Sequence, residues 1–180
     1  MDFLIKYEYQ ALTDACGQDT ELGWRDRLML LLLYNTGVRV SELVGINVQD
    51  IITDANGCSS YIHIHGKGRK KRDVPLWKST ASFMRKFLEL HASRNNVKLF
   101  ANRTNGELTR SGVRYRLGCL VKKASEKVPS MKQKTISQHT FRHTAALNLL
   151  QAGVDISTIT IWLGHESIIT THKYMEADME

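Results

Sequence analysis

Gln138-His-Thr-Phe-Arg-His-Thr144 is the most informative stretch of this sequence. His139 and Arg142 are three residues apart, so they share one face if the stretch is helical. Ser137 is a favourable N-cap residue, which would place both side chains in the first turn, where backbone N–H groups lack helical partners. A histidine, an arginine and a helix N-terminus at one point form an anion site. The spacing therefore predicts a phosphate-binding site.

The rest of the sequence predicts a mainly α-helical fold with one small β-sheet. Short β-type runs separated by turn sequences predict a three-stranded antiparallel sheet, and apolar residues recur elsewhere at helical spacing. The predicted strands are 48–52, 61–65 and 72–76. Four helices are predicted over residues 2–18, 24–34, 40–45 and 79–92. Three more are predicted further along: one that begins at Thr109, one that carries the motif above and ends at Gly153, and a short one before Gly164. The fold class is α+β, and residues 1–180 are enough for a single domain but not for two.

Charge and cysteine content narrow the class of protein. The formal net charge of +7 favours a polyanionic partner without identifying it. Cys16, Cys58 and Cys119 include no C-x-x-C pair, which favours reduced thiols over disulfides or zinc ligands. The longest apolar run, residues 28–34, is too short to span a membrane, and the first residues do not resemble a signal peptide. We expect a cytoplasmic protein that works at the nucleoid, without membrane contact.

Two further segments carry basic residues at positions that suit an anion. Arg39 follows a predicted buried helix and its capping glycine, and Glu42 lies one turn later, where it can hold the guanidinium. The alternative is a solvated ion pair on a helix surface. The loop of residues 66–72 predicts a hairpin tip that follows a DNA backbone, unless it is only a lysine-rich edge turn. Its cations are Lys67, Arg69, Lys70, Lys71 and Arg72, and Lys67 is flanked by glycines.

The spacing of His139 and His143 also allows a zinc hypothesis. The residues between them supply no glutamate base, and the Arg142 guanidinium would repel a dication, so we predict no metal site. His63 and His65 alternate along a predicted strand and are interpreted as ordinary surface or partly buried histidines.

A tyrosine near the end of the chain completes the set of polar residues. Tyr174 follows His165 by nine residues and lies on a short predicted terminal helix, where a tyrosine usually packs. A phenol has a pKa near 10, so it becomes a nucleophile at pH 7 only if neighbouring groups take its proton or stabilise its anion. The arginines and histidines above supply such groups.

These motifs together resemble the catalytic domain of the tyrosine recombinases, the phage integrase family. The resemblance rests on Arg39 in T-G-x-R-x-S-E-L, Lys67 in G-K-G, His139-x-x-Arg142-His, Leu163-Gly-His165, and the tyrosine nine residues later. It spans roughly residues 23–175, and the motifs occur in the family's order and spacing. Phe141 stands where leucine is more usual and Gln138 where small or varied residues occur, and neither changes a functional group.

The resemblance implies a DNA strand transferase that needs no metal, ATP or other cofactor. Arg39 and Arg142 would clamp the scissile phosphate, and Tyr174 would attack the phosphorus to give a 3′-phosphotyrosine and a free 5′-hydroxyl.

The resemblance also implies a role for each remaining site residue. Lys67 would be the general acid, His139 would handle the proton of Tyr174, His165 would bond to the phosphate, and Glu42 would support the arginine.

The family resemblance implies double-stranded DNA as the partner. The family also binds DNA with an N-terminal helical domain, and residues 1–180 are expected to be the catalytic domain alone. We expect them to be a fragment of a longer protein, with a short natural relative as the alternative. We expect a monomer in solution and a tetramer on DNA in the full-length relative. Major-groove contact is expected from one helix face, unless that face is merely solvated. The side chains of this face are Arg110, Arg114 and Lys122.

Two other functions remain compatible with these residues. The first is a DNA-binding module that keeps the fold without the chemistry, and the second is a metal-dependent nuclease. A covalent DNA adduct distinguishes the strand transferase from the first, and insensitivity to a chelator distinguishes it from the second.

Overall fold

The structure is a computed structural model that describes residues 2–53, 60–92 and 97–165, with the backbone alone at Arg69. The helices of this described part are α1 (Lys6–Ala15), α2 (Glu21–Thr36), α3 (Val40–Gly45), α4 (Lys78–Leu90), α5 (Arg110–Lys127), α6 (Gln138–Gln151) and α7 (Ile156–Leu163). Its strands are β1 (Ile51–Thr53), β2 (Ser60–His65) and β3 (Lys71–Pro75). The predicted fold class, mainly α with one three-stranded sheet, is confirmed.

Helix α2 lies at the centre of the fold. It begins where the Thr20 hydroxyl accepts a bond from the Gly23 N–H at 3.0 Å, and it ends at Gly37, which has a φ of 62°. Leucines on several sides of the helix are fully buried, and α1, α4 and α6 pack against it. The sequence correctly predicted a helix buried nearly all round, and the structure extends it at both ends.

The sheet is antiparallel in the order β1-β2-β3. Ile62 and Ile64 of β2 and Val74 of β3 are fully buried, so one face of the sheet packs on the core. The predicted strand over residues 48–52 is wrong in its first half, because Val48–Asp50 forms a 3-10 turn. The Asp50 carboxylate accepts a bond from the Asn47 N–H at 2.8 Å, which closes this turn before β1 begins.

The two predicted N-caps of the later helices are confirmed. The Thr109 hydroxyl accepts from Gly112 N–H at 3.0 Å at the start of α5, and the Ser137 hydroxyl accepts from His139 N–H at the start of α6. Helix α7 ends at Gly164, which has a φ of 64°, a conformation that favours glycine. No helix of the described residues is both long enough and apolar enough to cross a bilayer.

The N-terminal segment is hydrogen-bonded to α6 and to the chain that leads into it. Glu8 on α1 is fully buried, and its carboxylate accepts bonds from Lys134 Nζ at 2.7 Å and Ser130 Oγ at 2.9 Å. The Leu4 N–H donates to Thr144 Oγ1 at 2.9 Å. Burial by itself would raise the pKa of Glu8, but the hydrogen bonds outweigh it and lower that pKa below its ordinary value. Glu8 is therefore an ionised buried carboxylate.

Glu8→Gln is expected to lower the free energy of unfolding at pH 7 by about 2–3 kcal/mol. The loss falls below that of a fully buried pair because the Lys134 side chain is 24% exposed. A lowered folded-state pKa stabilises the fold above the unfolded pKa, and that contribution disappears as pH falls through the folded value. Urea unfolding at several pH values should therefore show the difference from wild type shrinking below about pH 4.5, the ordinary value for this carboxyl.

Asp14→Asn is the matched control, because Asp14 is an exposed carboxylate of the same helix that is bonded to exposed Gln10. It should leave the free energy of unfolding nearly unchanged. A Glu8→Gln protein as stable as wild type at pH 7, or a difference independent of pH, would contradict this account.

A basic cleft as the candidate functional site

An open cleft of about 840 Å³ lies between α3, the hairpin that joins β2 to β3, and the C-terminal end of α7. Seven of the residues predicted to form the site line it: Arg39, Glu42, Lys67, Lys70, Lys71, Arg72 and His165. A second cavity of about 380 Å³, between α2, α4 and the segment after it, is lined by none of the predicted site residues. Seven of the fourteen predicted site residues therefore lie together in one cleft.

Arg39 is held at the mouth of the cleft by the start of α3. Its N–H donates to Glu42 Oε2 at 2.9 Å, and its guanidinium donates to Glu42 Oε1 at 3.2 Å and to the Gly164 carbonyl at 3.0 Å. The predicted contact with Glu42 is therefore present. The Arg39 side chain remains 43% exposed, so part of its donor fork faces the cleft.

Glu42 is buried and has a second arginine partner, which was not predicted from the sequence. Arg72 donates to both Glu42 oxygens, at 2.9 and 3.0 Å, and its Nε donates to the Trp162 carbonyl at 2.8 Å. Burial alone would raise the pKa of Glu42, but the bonds from Arg72 and from the Arg39 N–H lower it. Glu42 is thus a stable anion that joins β3 to α3.

The expectation that Arg72 belongs with the exposed cations of the hairpin tip is corrected by this geometry. Its side chain is only 10% exposed, because the Glu42 carboxylate and the end of α7 hold it inward. Arg72 therefore acts as a support at the base of the cleft rather than as part of a projecting cationic loop.

Arg142, on α6, reaches the same end of α7. It is 4% exposed, and its guanidinium donates to the Gly37 carbonyl at 2.7 Å and the Leu163 carbonyl at 2.6 Å. Arg39 and Arg142 thus bind the consecutive carbonyls of Leu163 and Gly164, at the negative end of the helix dipole. Two arginines that are about a hundred residues apart in sequence meet at one point.

His165 follows directly after these carbonyls and lines the cleft. Its backbone N–H donates to the Thr160 carbonyl at 3.0 Å, which fixes the turn that ends α7. Burial lowers the pKa of the imidazole to about 4, and the positive charges of Arg142, Arg39 and Arg72 act in the same direction. The imidazole is therefore neutral at pH 7 and able both to donate and to accept a hydrogen bond.

The hairpin supplies the exposed cations of the cleft. The Gly66 N–H donates to the Lys70 carbonyl at 2.7 Å, and Gly68 has a φ of 70°, which glycine adopts without strain. Lys67 and Lys70 are exposed on this tight turn. Lys71 opens β3 beside them.

The structure does not place every predicted residue in the cleft. His139 is exposed in the first turn of α6 and, among the described side chains, is not one that lines the cleft. Tyr174 and the side chain of Arg69 lie outside the described residues.

On α5, Arg110, Arg114 and Lys122 are exposed, while Arg116 of the same helix pairs with Asp26 at 2.8 Å. The basic face that the sequence predicted is therefore present on this helix.

Histidine, cysteine and acidic side chains do not form a metal-type cluster in the described part of the chain. No group of three or more of them is arranged to hold a metal ion there. His143 is buried, with its Nδ1 against the Asp2 carbonyl at 3.2 Å, whereas His139 is exposed. The two histidines of the motif thus occupy different environments.

Comparison with known proteins identifies the class. The family model of the phage integrase family matches residues 2–180, and the chain belongs to that family. The integrase/recombinase y4rC of Sinorhizobium fredii is 38% identical over 179 residues, which are 99% of this chain and 53% of the relative. The tyrosine recombinase XerC of Staphylococcus haemolyticus is 36% identical over 176 residues, 96% of this chain and 56% of the relative. The chain spans about half the length of these relatives.

Solved structures agree with this assignment. The crystal structure of XerA recombinase superposes with a TM-score of 0.81 at 30% identity, over 97% of this chain and 60% of that one. XerH recombinase bound to its difH substrate superposes with a TM-score of 0.80 over 97% of this chain and 50% of that one. Its identity of 23% shows likeness of fold alone. The fold is that of the tyrosine recombinase catalytic domains.

Proposed function

We propose that this chain is the catalytic domain of a site-specific DNA recombinase that breaks and rejoins strands through a 3′-phosphotyrosine. The observation that carries the proposal is the meeting of Arg39, Arg142 and His165 at the end of α7, beside a cleft edged by lysines. Two guanidiniums and a neutral imidazole at one point suit a phosphodiester, which presents two non-bridging oxygens and a negative charge.

The two arginines supply electrostatic stabilisation. As the phosphorus becomes five-coordinate, negative charge builds on its non-bridging oxygens, and donors already fixed in place lower the barrier without reorganising. Glu42 and Arg72 keep the Arg39 fork in position, since Glu42 is bonded to both arginines. His165 donates a further bond to the phosphate in its neutral form.

The proton transfers balance the exchange of bonds. The Tyr174 oxygen forms a bond to phosphorus while the bond from phosphorus to the 5′-oxygen breaks, and His139 takes the phenol proton. Lys67 gives a proton to the leaving 5′-oxygen. A 5′-hydroxyl from a partner duplex reverses these steps, so the cycle consumes neither metal nor ATP.

The basic surface supplies the binding to double-stranded DNA. The hairpin cations Lys70 and Lys71, together with Arg69, follow the backbone, and the basic face of α5 enters the major groove. That face carries Arg110, Arg114 and Lys122. We further propose that residues 1–180 form one domain, monomeric in solution and tetrameric on DNA within a full-length protein, and that it works at the nucleoid in the cytoplasm.

A DNA-binding module of the same fold without chemistry is the second candidate. The burial of Arg142 favours it, because the described bonds of this guanidinium go to backbone carbonyls rather than towards open solvent. The two candidates differ in whether a covalent adduct forms.

The test uses a pool of labelled duplexes with a randomised core and a nick, so that a cleaved strand loses its short 5′-hydroxyl fragment. Incubation with EDTA and without ATP is expected to give a labelled protein band that survives SDS and disappears after protease treatment. Binding without such a band would support the non-catalytic module. Cleavage that requires a divalent cation and leaves no adduct would support a nuclease.

A further inference from the structure

Strand β2 carries two histidine–aspartate pairs on the same face. His63 and His65 alternate with buried Ile62 and Ile64, so both imidazoles project from the face away from the core. His63 Nδ1 is bonded to Asp73, which lies directly across on β3. His65 Nε2 is bonded to Asp50 Oδ1 at 2.8 Å. The strand thus presents two similar pairs two residues apart.

The two pairs differ in burial and in what they face. The Asp73 side chain is 60% exposed, whereas the Asp50 side chain is 7% exposed. Burial alone would raise the pKa of Asp50, but bonds from His65 and from the Asn47 N–H lower it, so Asp50 is a fixed anion. His65 also lines the cleft beside the hairpin of Lys67, and His63 is not among the described cleft-lining residues.

A buried carboxylate on one ring nitrogen determines what the other nitrogen can do. It fixes the orientation of the ring and places the proton of the neutral form on Nε2, leaving a lone pair on Nδ1. When Nδ1 gains a proton, the ring carries a positive charge and a second donor. A phosphate oxygen is an acceptor that only this protonated form can satisfy.

We propose that His65, held by Asp50, is an additional DNA-phosphate contact of the cleft that engages in its protonated form. The proposal rests on the proposed function, since it takes DNA as the ligand of the same cleft. His65 lies two residues before Lys67, so the two side chains would contact one backbone in succession.

The charges around His65 set the direction of the pH effect. Lys71 is its cross-strand neighbour, the cleft adds Lys67, Lys70, Arg39 and Arg72, and these cations oppose a further positive charge. Asp50 favours that charge, as does Glu42, which also lines the cleft. His63 also acts on Asp50, and His165 is a further imidazole that lines the cleft. A bound phosphate neutralises the cations and adds an anion.

Binding of DNA should therefore be coupled to uptake of a proton. By linkage, a ligand that favours the protonated form binds more tightly as pH falls. The contribution of His65 to DNA affinity is therefore expected to grow as pH falls.

The experiment measures the affinity of a short labelled duplex by fluorescence anisotropy at pH 6 and pH 8, at one ionic strength. His65→Gln keeps an N–H at the Nε2 position for Asp50 and cannot gain the charge. His63→Asn is the matched control, because it keeps an N–H at the Nδ1 position for Asp73. His65→Gln should bind about five- to tenfold more weakly than wild type at pH 6 and within about twofold at pH 8. The affinity of His63→Asn should match that of wild type at both pH values.

The outcomes separate this inference from the proposed function. If wild type binds duplex DNA and the affinity of His65→Gln changes with pH as that of wild type does, the inference is wrong. The proposed function is unaffected by that result. An equal loss in His63→Asn also overturns it, because the effect would then be general to the sheet. Wild type that fails to bind DNA at either pH overturns the proposed function and the inference with it.

Discussion

Replacing Tyr174 by phenylalanine is expected to abolish the covalent adduct with nicked DNA while duplex binding is retained. Phenylalanine keeps the ring and lacks the oxygen that would attack phosphorus, so the first chemical step has no nucleophile. Binding persists because it depends on the cations of the cleft and of α5. The measurement is the amount of SDS-resistant labelled protein after incubation with the randomised nicked pool, set against anisotropy of the same variant.

Tyr7→Phe is the matched control, since Tyr7 is an exposed tyrosine of α1 away from the cleft. It should form as much adduct as wild type. An adduct that persists in Tyr174→Phe would show that another group attacks the DNA, and the assignment of the nucleophile would be wrong.

Arg39→Ala is expected to slow adduct formation by about 10²–10³-fold, the loss that follows removal of one donor to a developing oxyanion. The fold should survive, because Glu42 keeps its two bonds to Arg72 and is not left as an unpaired buried anion. Single-turnover cleavage of the nicked duplex measures the rate, and thermal unfolding measures the fold. The rate of Arg39→Lys should lie between those of wild type and Arg39→Ala, since lysine restores the positive charge without the planar set of N–H donors of a guanidinium.

Arg103→Ala removes an exposed arginine outside the cleft and serves as the control for loss of one positive charge. Its rate should remain near that of wild type. If Arg39→Ala cleaves at the wild-type rate, or if Arg103→Ala is equally slow, the guanidinium of Arg39 does not stabilise the transition state.

Local signals made most of the fold predictable from sequence. The caps at Thr109 and Ser137, and the glycine at residue 37, mark helix ends through bonds within a few residues, and these ends agree with the structure. The strand predicted over residues 48–52 failed because its β-branched residues suggested extension, while the Asp50 carboxylate closed a turn with Asn47. Local hydrogen bonding outweighed β-propensity there.

The site was predictable in part. The contact between Arg39 and Glu42 spans three residues, and a sequence can show such a pair. The bonds of Arg72 to Glu42 and of Arg142 to the Leu163 carbonyl join distant segments, so only the folded chain reveals them. The exposure of Arg39 and the burial of Arg142 likewise depend on how the folded chain packs.

The pair of Asp50 and His65 was missed for the same reason. Alternation on a strand indicated a surface histidine, and nothing in the sequence showed that a residue fifteen positions earlier would turn its carboxylate towards it. The available signal was the position of His65 directly before Gly66-Lys67, at the start of the basic hairpin.

If a tyrosine oxygen holds the broken strand, mass spectrometry of the trapped adduct will locate the bond. After nuclease and protease digestion, we expect a peptide containing Tyr174 that carries a nucleotide through its 3′-phosphate, together with a released 5′-hydroxyl fragment. A nucleotide on any other residue, or cleaved DNA with a free 3′-phosphate and unmodified protein, would contradict this expectation.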